Sequence, residues 1–295
     1  MHNSNTKIDI NTNHTSINPY TKTTIIAVAN QKGGVAKTTS TINLATALTQ
    51  AGCKVLVIDS DPQSSLSIVW GINPRRMQEL DSAGLTYYFG LVKNKPLIDL
   101  VIAGLANPAN STPSLSPSLI PASIRLANAE TELASPFGTA SILKEKLESL
   151  RGLFDVILID CPPTLSLLTV NALTASDAVL IPVKTDFISV MGLTLLLDTV
   201  ENVKRRANPT LEVLGILPTL FNASASHDAE VLRELKASVA HKQIQVFDPV
   251  HRSTAFDKAN VESKSALELF PNTKGINQYT LVAQKIINTY VKPQH

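Results

Sequence analysis

The apolar positions of the chain fall into two patterns, short continuous runs and longer segments in which apolar residues recur at helical spacing. A continuous apolar, β-branched run predicts a strand that is covered on both faces, as in a parallel sheet. A helical spacing of apolar residues predicts an amphipathic helix that packs on such a sheet. The alternation predicts an α/β fold with a single doubly wound, mostly parallel sheet flanked by helices. The runs that predict strands are 24–29, 55–58, 154–160, 178–183, 211–217 and 244–247.

The segments between these runs carry the helical pattern. Apolar residues at 42, 45, 48 and 51 predict a helix that ends at Gly52, a common helix terminator. Residues 71–122 are the least regular part of the chain. Within them, Asn107–Ser123 contains several prolines and serines, which is typical of an exposed loop. The other predicted helices are 123–133, 142–150, 190–206 and 276–291.

Composition narrows the class of protein. Hydrophobic residues make up 44% of the 295 and charged residues 17%, which is typical of a globular protein with a large core. No stretch approaches the roughly 20 apolar residues of a membrane span, so we expect a cytoplasmic protein without membrane contact. Cys53 and Cys161 are the two cysteines and form no C-x-x-C pair. Their isolation argues against a disulfide framework, a zinc site or a metal-cluster carrier.

The N-terminal segment differs from the rest. Its 22 residues are rich in Asn and Thr and contain no apolar region of the kind found in a signal peptide. We therefore expect a disordered polar tail at 1–22 and one folded domain at 23–295.

The segment 30–39, Asn-Gln-Lys-Gly-Gly-Val-Ala-Lys-Thr-Thr, lies between a predicted strand and a predicted helix. Such an arrangement directs backbone N–H groups and a helix N-terminus at a phosphate chain. Lys37 supplies a charge for the β and γ phosphates, and the Thr38 hydroxyl can ligate Mg²⁺. The usual phosphate-loop pattern G-x-x-x-x-G-K-[ST] is incomplete, because Gln31 and Ala36 occupy its two glycine positions.

An additional lysine, Lys32, precedes the two glycines, and the segment resembles the K-G-G-x-x-K-T box of the ParA/MinD ATPases, in particular ParA/Soj-type partition ATPases. The resemblance implies a P-loop ATPase domain at 23–295 with ATP and Mg²⁺ as cofactors. It also implies that Lys32 reaches the nucleotide of a partner subunit, so that a homodimer encloses ATP. The alternative is an ordinary glycine turn with two solvated lysines. The implied nucleotide-binding residues are Lys32, Gly33, Gly34, Val35, Ala36, Lys37, Thr38 and Thr39.

Two predicted strands end in aspartates. Asp59 and Asp61, followed by Pro-Gln, stand where ligands bind at the carboxyl edge of an open α/β sheet. This segment resembles the D-x-D-P-Q box of the same family, which implies that Asp61 positions the attacking water and Asp59 helps to organise the magnesium shell. Asp160 resembles a Walker B acid, which implies that it holds a magnesium-bound water. Lys32 and Lys37 would stabilise charge during hydrolysis.

Two later segments are candidates for contact with the base. In the family, the loop after the last strand flanks the adenine, which points here to Pro249 and His251, although the expected Ile-Pro-Arg is Asp-Pro-Val in this chain. The tripeptide 184–186, Lys-Thr-Asp, is similar to a guanine-reading N/T-K-x-D motif. Because Val183 stands where Asn or Thr is needed, we interpret it as a loop.

The resemblance implies that the dimer binds DNA without sequence preference and associates with the nucleoid. It implies a ParB-like activator as a partner. Net charge is only +2, so DNA binding requires a local basic patch, although cations that end a helix also cap it favourably. A MinD-like membrane-cycling ATPase is the alternative, and the Val291–His295 ending lacks the basic amphipathic tail it would need. Candidate DNA contacts are Lys204, Arg205, Arg206, Lys258 and Lys264.

Overall fold

The computed structural model describes residues 22–102, 116–133 and 139–291. Its centre is a sheet of six strands in the order β3-β2-β4-β1-β5-β6, and every neighbouring pair is parallel. This confirms the predicted fold class. Residues 1–21 of the tail predicted at 1–22 lie outside the described part of the chain. The strands are β1 (Thr24–Val28), β2 (Val55–Asp59), β3 (Ser118–Ile120), β4 (Val156–Asp160), β5 (Ala178–Lys184) and β6 (Glu212–Thr219).

Twelve α-helices are found among the described residues. Short 3₁₀ turns at Leu97–Leu100, Ile124–Asn128 and Glu148–Leu150 and a π turn at Ile287–Val291 accompany them. The helices are α1 (Lys37–Gln50), α2 (Ser65–Val69), α3 (Pro74–Ser82), α4 (Tyr87–Leu91), α5 (Ala129–Glu132), α6 (Ile142–Leu147), α7 (Leu167–Ala175), α8 (Phe187–Arg206), α9 (Ser226–Ala240), α10 (Ala255–Val261), α11 (Ala266–Leu269) and α12 (Asn277–Ile286).

Both faces of the sheet are covered by apolar helices. Successive strand residues point to opposite faces, so each strand contributes to both cores. On one face the strands pack against α4, α6, α7, α8 and α9, and on the other against α1, α10, α11 and α12. In three of the strands, one residue packs on one face and the next residue packs on the other. These pairs are Ile25 and Ile26, Ile157 and Leu158, and Val179 and Leu180.

The register brings the chemical groups together. Val28 at the end of β1 and Asp59 at the end of β2 are both register partners of Asp160 in β4. The loops that follow these three strands therefore leave the same edge of the sheet side by side. This edge is the place where open α/β sheets bind ligands.

The prediction of a strand at 244–247 is wrong. The segment forms only one bridge, between Val246 and Ile216, and the Phe247 N–H donates to the Ile216 carbonyl at 2.9 Å. Pro249 follows shortly afterwards and lacks the N–H that a longer ladder would need. The chain therefore touches β6 briefly and then turns toward the carboxyl edge.

Other boundaries differ for local reasons. Helix α8 begins at Phe187 and not at 190, because the Asp186 side chain caps it. The helix predicted at 123–133 is divided into a 3₁₀ turn and α5. The region 71–122, predicted as irregular, contains α3 and α4, and the Asn73 side chain caps α3. Part of the predicted loop 107–123 lies outside the described residues.

Candidate functional site

The loop between β1 and α1 has the curled backbone of a phosphate-binding loop. Gly34 has φ 71°, and Ala36, immediately before α1, has φ 61°, so both are left-handed. Glycine adopts this conformation without steric cost, whereas the Cβ of alanine makes it less favourable. The Val35 side chain is buried, and its carbonyl accepts a hydrogen bond from Thr219 Oγ1 at 3.0 Å. Thr219 of β6 therefore anchors the loop, even though alanine occupies the usual glycine position.

Lys37 lies inside the curve of this loop. Its side chain is buried, and Nζ donates to the carbonyl of Lys32 at 3.1 Å. Burial lowers the pKa of Lys37, and the negative charge of Asp160 opposes that change. A buried cation held against a loop of backbone N–H groups is a strong attractor for an anionic ligand.

Asp160 sits directly opposite the start of α1. Its Oδ2 accepts from Thr38 Oγ1 at 2.8 Å, and its Oδ1 accepts from Thr41 Oγ1 at 3.0 Å. Burial raises the pKa of Asp160 to about 6, hydrogen bonds from both threonines and the charge of Lys37 oppose the rise, and Asp61 adds to it.

The donors around Asp160 fit a magnesium ion. Mg²⁺ prefers oxygen ligands and usually takes one or two carboxylates together with substrate phosphates and water. Thr38 and Asp160 supply a hydroxyl and a carboxylate beside the phosphate-binding loop. Within the described ranges no group of three or more His, Cys, Asp or Glu residues could hold a metal alone, so the ligand would have to complete the shell.

Asp59 is engaged by its own loop. Its Oδ1 accepts from the Asp61 N–H at 3.2 Å, and its Oδ2 accepts from Ser67 N at 2.9 Å and Ser67 Oγ at 2.6 Å. Burial raises the pKa of Asp59 to about 7, with a further contribution from Asp160. Asp59 thus holds the start of α2 and the backbone of Asp61. Its place in a magnesium shell stays a prediction.

Asp61 lies in a turn that presents it at the sheet edge. Its Oδ1 accepts from the Gln63 N–H at 2.9 Å, and its carbonyl accepts from the Ser64 N–H at 2.8 Å. Both bonds fix the turn after β2. Its effect on the pKa values of Lys37 and Asp160 shows that its charge is near theirs. The predicted role in positioning water is compatible with this placement and stays a prediction.

Lys32 is bound within its own chain. Its Nζ lies 2.9 Å from Asp186 Oδ1 and 2.9 Å from Ser189 Oγ, both at the start of α8. The preceding residue is tied to the same region, since Gln31 Nε2 donates to the Gly192 carbonyl at 2.8 Å. In this conformation the lysine is directed at α8 and not away from the subunit.

A cavity of about 500 Å³ opens beside the phosphate loop. His251 lines it and meets Phe221 edge-on, with ring centroids 5.1 Å apart. Burial lowers the pKa of His251, and Lys274 adds to that change. Pro249 does not line the cavity, and its carbonyl lies close to Gly275. The cavity is lined by Gly34, Ala36, Thr39, Lys184, Thr219, Leu220, Val250, His251, Arg252, Ser253, Thr254, Phe256, Asp257 and Tyr279.

Four residues that contact the predicted site residues could not be assigned from local motifs alone. They are Thr41, Asp186, Ser189 and Thr219. Thr41, four positions after Lys37, could have been found from helical spacing. Asp186 precedes a helix and stands three positions before Ser189, which is the pattern of an N-cap. Thr219 has no local signal, because its partner in the phosphate loop is 184 positions away in sequence.

Helix α8 has exposed apolar side chains in its first half and basic residues in its last turn. Phe187, Ile188, Met191 and Leu195 are 54–70% exposed and lie within about 100° of helix arc. The last turn carries the basic residues 204–206. Among the other predicted DNA contacts, Lys258 lies on α10, and Lys264 pairs with Glu268 at 3.3 Å.

None of the helices in the described ranges is long and apolar enough to cross a membrane.

The parallel sheet, the loop between β1 and α1 and the acid that ends β4 define a P-loop NTPase fold. A family model described as an AAA domain matches residues 23–213. The chain is 35% identical to the Bacillus subtilis sporulation initiation inhibitor protein Soj, covering 89% of this chain and 97% of Soj. It is also 35% identical to the Caulobacter vibrioides chromosome partitioning protein ParA, covering 90% of this chain and 94% of ParA.

A solved structure is similar in fold. The Mycobacterium smegmatis cobyrinic acid a,c-diamide synthase, with a bound ATP analogue and magnesium, has a TM-score of 0.72 and 33% identity, covering 89% of this chain and 93% of that chain. The chain belongs to the ParA/Soj family, which confirms the resemblance carried by the segment around Lys32.

Proposed function

We propose that the protein is a magnesium-dependent ATPase that dimerises around ATP, binds DNA without sequence preference and positions a cargo with an activating partner. The observation that carries the proposal is the placement of Lys32 and Lys37 on either side of the glycine turn, beside the bonded pair of Thr38 and Asp160. The similar C. vibrioides ParA is a chromosome partitioning protein, which supports a chromosome as the cargo, with a plasmid or another assembly as the alternatives.

ATP and Mg²⁺ are the proposed cofactors. The backbone of residues 33–39 would receive the phosphates, with Lys37 between them, and the cavity lined by His251 would receive the base. Mg²⁺, when bound, would neutralise phosphate charge, with Thr38 and Asp160 as its protein partners. The similar M. smegmatis structure, which holds an ATP analogue and magnesium, supports this choice.

Hydrolysis would proceed by in-line attack of water on the γ-phosphate. Asp61 stands on the turn after β2 and would orient the water. Lys37, and Lys32 from the partner subunit, would stabilise charge that develops on the phosphate oxygens. Asp59 would act indirectly, because its carboxylate holds the backbone of Asp61 at 3.2 Å.

Dimerisation is supported by the outward face of α8. Exposed apolar side chains on a soluble domain are usually scattered, and a contiguous group of them marks a surface that another molecule covers. Four such side chains occupy the first half of the outward face of α8, beginning at Phe187. In the proposed dimer, a second subunit would cover this face.

DNA binding would use local basic groups, because the net charge is only +2. A single subunit would contact few phosphates, and pairing two subunits doubles the number. The cluster that ends α8, residues 204–206, is the densest candidate. The proposed location is the cytoplasm, in association with the nucleoid, and a ParB-like protein is the proposed activator.

Two lysine variants test the proposal. Lys37→Ala should weaken ATP binding itself, whereas Lys32→Ala should retain ATP binding and lose the dimer. Analytical ultracentrifugation with a non-hydrolysable ATP analogue measures the dimer, and fluorescence titration measures nucleotide binding. A stable nucleotide-dependent dimer of Lys32→Ala would contradict the proposal and leave Lys32 with contacts only within its own subunit.

A further inference from the structure

We propose that Asn43 is a positioning residue for the nucleotide base, because it joins the helix that follows the phosphate loop to helix α11 and so fixes part of the wall of the neighbouring cavity. In the proposed function, on which this inference rests, that cavity receives the base. Asn43 does not itself line the cavity and acts on it through its neighbours.

The cavity is lined by two parts of the chain that are far apart in sequence. One part is the phosphate loop and the start of α1, including Ala36 and Thr39. The other part, here called the helical wall, is formed by Phe256 and Asp257 of α10 and Tyr279 of α12. The room available to a base therefore depends on how α10, α11 and α12 are held against α1.

Asn43 connects the two parts through its side chain, which is buried in α1. Its Nδ2 donates to the Thr39 carbonyl at 2.8 Å, and its Oδ1 accepts from the Leu267 N–H in the first turn of α11 at 2.8 Å. A carboxamide has one donor end and one acceptor end, so these two partners fix its orientation. One side chain thus joins a residue that lines the cavity to α11.

Helix α11 depends on such contacts for its position. It has only four residues, and a helix this short is not stable by itself. The N–H groups of a first helical turn have no partner within the helix. The Ser265 side chain accepts from the Glu268 N–H at 3.1 Å, and Asn43 accepts from the Leu267 N–H, which the local cap does not satisfy.

The helical wall follows α11. Helix α11 packs on α10, and the Lys264 N–H donates to the Ala259 carbonyl at 3.1 Å across the turn between them. A second polar contact holds α12, where Ser40 Oγ lies 3.4 Å from the hydroxyl of Tyr279 and both residues are buried. The apolar packing between α1 and these helices is not directional, so the two polar contacts determine where the wall stands.

Asn43→Leu removes both bonds and keeps a side chain of the same branched shape. Part of the binding free energy of ATP is then needed to fix the wall. One ordinary buried hydrogen bond corresponds to about ten-fold in affinity, and we expect ATP to bind more weakly by that factor. Magnesium tripolyphosphate has no base and needs only the phosphate loop, so its affinity should change by no more than about two-fold.

Asn171→Leu is the matched control, because Asn171 makes the same pair of bonds elsewhere. Its Oδ1 accepts from the Leu143 N–H in the first turn of α6 at 3.1 Å, and its Nδ2 donates to the Leu167 carbonyl four positions earlier at 3.0 Å. It belongs to α7 on the other face of the sheet and does not line the cavity. This variant should lower thermal stability and leave the affinities for both ligands unchanged.

Both ligands are titrated by calorimetry in the presence of Mg²⁺, and amide hydrogen exchange at 255–269 monitors α10 and α11 without nucleotide. For Asn43→Leu we expect the ratio of ATP affinity to tripolyphosphate affinity to fall about ten-fold, with faster exchange at 255–269. Asn171→Leu should show neither change. Ser40→Ala should lower the ratio in the same direction by roughly two-fold, and it provides a second test if Asn43→Leu does not fold.

Three results would overturn the inference alone. They are an unchanged affinity ratio in both Asn43→Leu and Ser40→Ala, an equal fall of the ratio in Asn171→Leu, and unchanged exchange at 255–269 in Asn43→Leu. A wild-type chain that binds no ATP would overturn the proposed function, and this inference with it.

Discussion

The bond between Thr219 and the phosphate loop makes a sharp structural prediction. Thr219→Val keeps the shape of the side chain but removes the hydroxyl that donates to the Val35 carbonyl at 3.0 Å. Both residues are fully buried, so the carbonyl would be left without that partner away from water. Leaving a buried acceptor unsatisfied costs about 1–3 kcal/mol. The loop should also bind ATP less tightly, because its anchor on β6 is removed.

Thr46→Val is the matched control. Its hydroxyl donates to the Ile42 carbonyl at 3.1 Å, which already lies within helix α1 and keeps its backbone partner. We expect this control to change stability by no more than about 0.5 kcal/mol. Thermal unfolding should place Thr219→Val roughly 2–6 °C below the wild type, on the basis of about 2 °C per kcal/mol for a chain of this length. Equal melting temperatures for the two variants would show that the Thr219 hydroxyl does not anchor the loop.

Three further outcomes are expected. Asp61→Ala should lose ATP turnover while it still binds ATP and dimerises, and turnover at the wild-type rate would remove Asp61 as the water-positioning acid. Met191→Glu should weaken the ATP-dependent dimer at least ten-fold, whereas Val261→Glu, at an 82% exposed site on another helix, should not. Replacing Arg205 and Arg206 by alanine should lower DNA affinity and reduce the slope of log affinity against log salt by about 0.9 for each phosphate that the variant no longer neutralises, and an unchanged slope would exclude both residues.

Five of the six strands could be predicted because they are continuous apolar runs, whereas the three-residue strand β3 was not predicted. Residues 55–58 and 156–159 allow no polar face, which is typical of strands buried on both sides. The segment 244–247 carries a similar signal but forms a single bridge. Pro249 and the turn of the chain toward the cavity limit this segment to a single bridge. Neither effect can be predicted from the apolar composition of the segment.

The site was predictable where its residues are close in sequence. The lysines at 32 and 37 and the aspartates at 59 and 61 stand in local patterns that resemble a family. The Lys32–Asp186 contact joins residues 154 positions apart and depends on how the start of α8 is placed beside the loop that follows β1. A helix cap at Asp186 could be expected from its spacing to Ser189, but its ionic partner could not.

In the proposed cycle, ATP converts a monomer with weak affinity for DNA into a dimer that binds it. A fluorescence-anisotropy titration of two unrelated DNA duplexes tests this step with ATP, with ADP and without nucleotide, and anionic lipid vesicles serve as a parallel arm. We predict binding with ATP only, equal for both duplexes and falling steeply with salt. Equal DNA binding in all three nucleotide states, or ATP-dependent binding to vesicles and not to DNA, would contradict the proposed cycle.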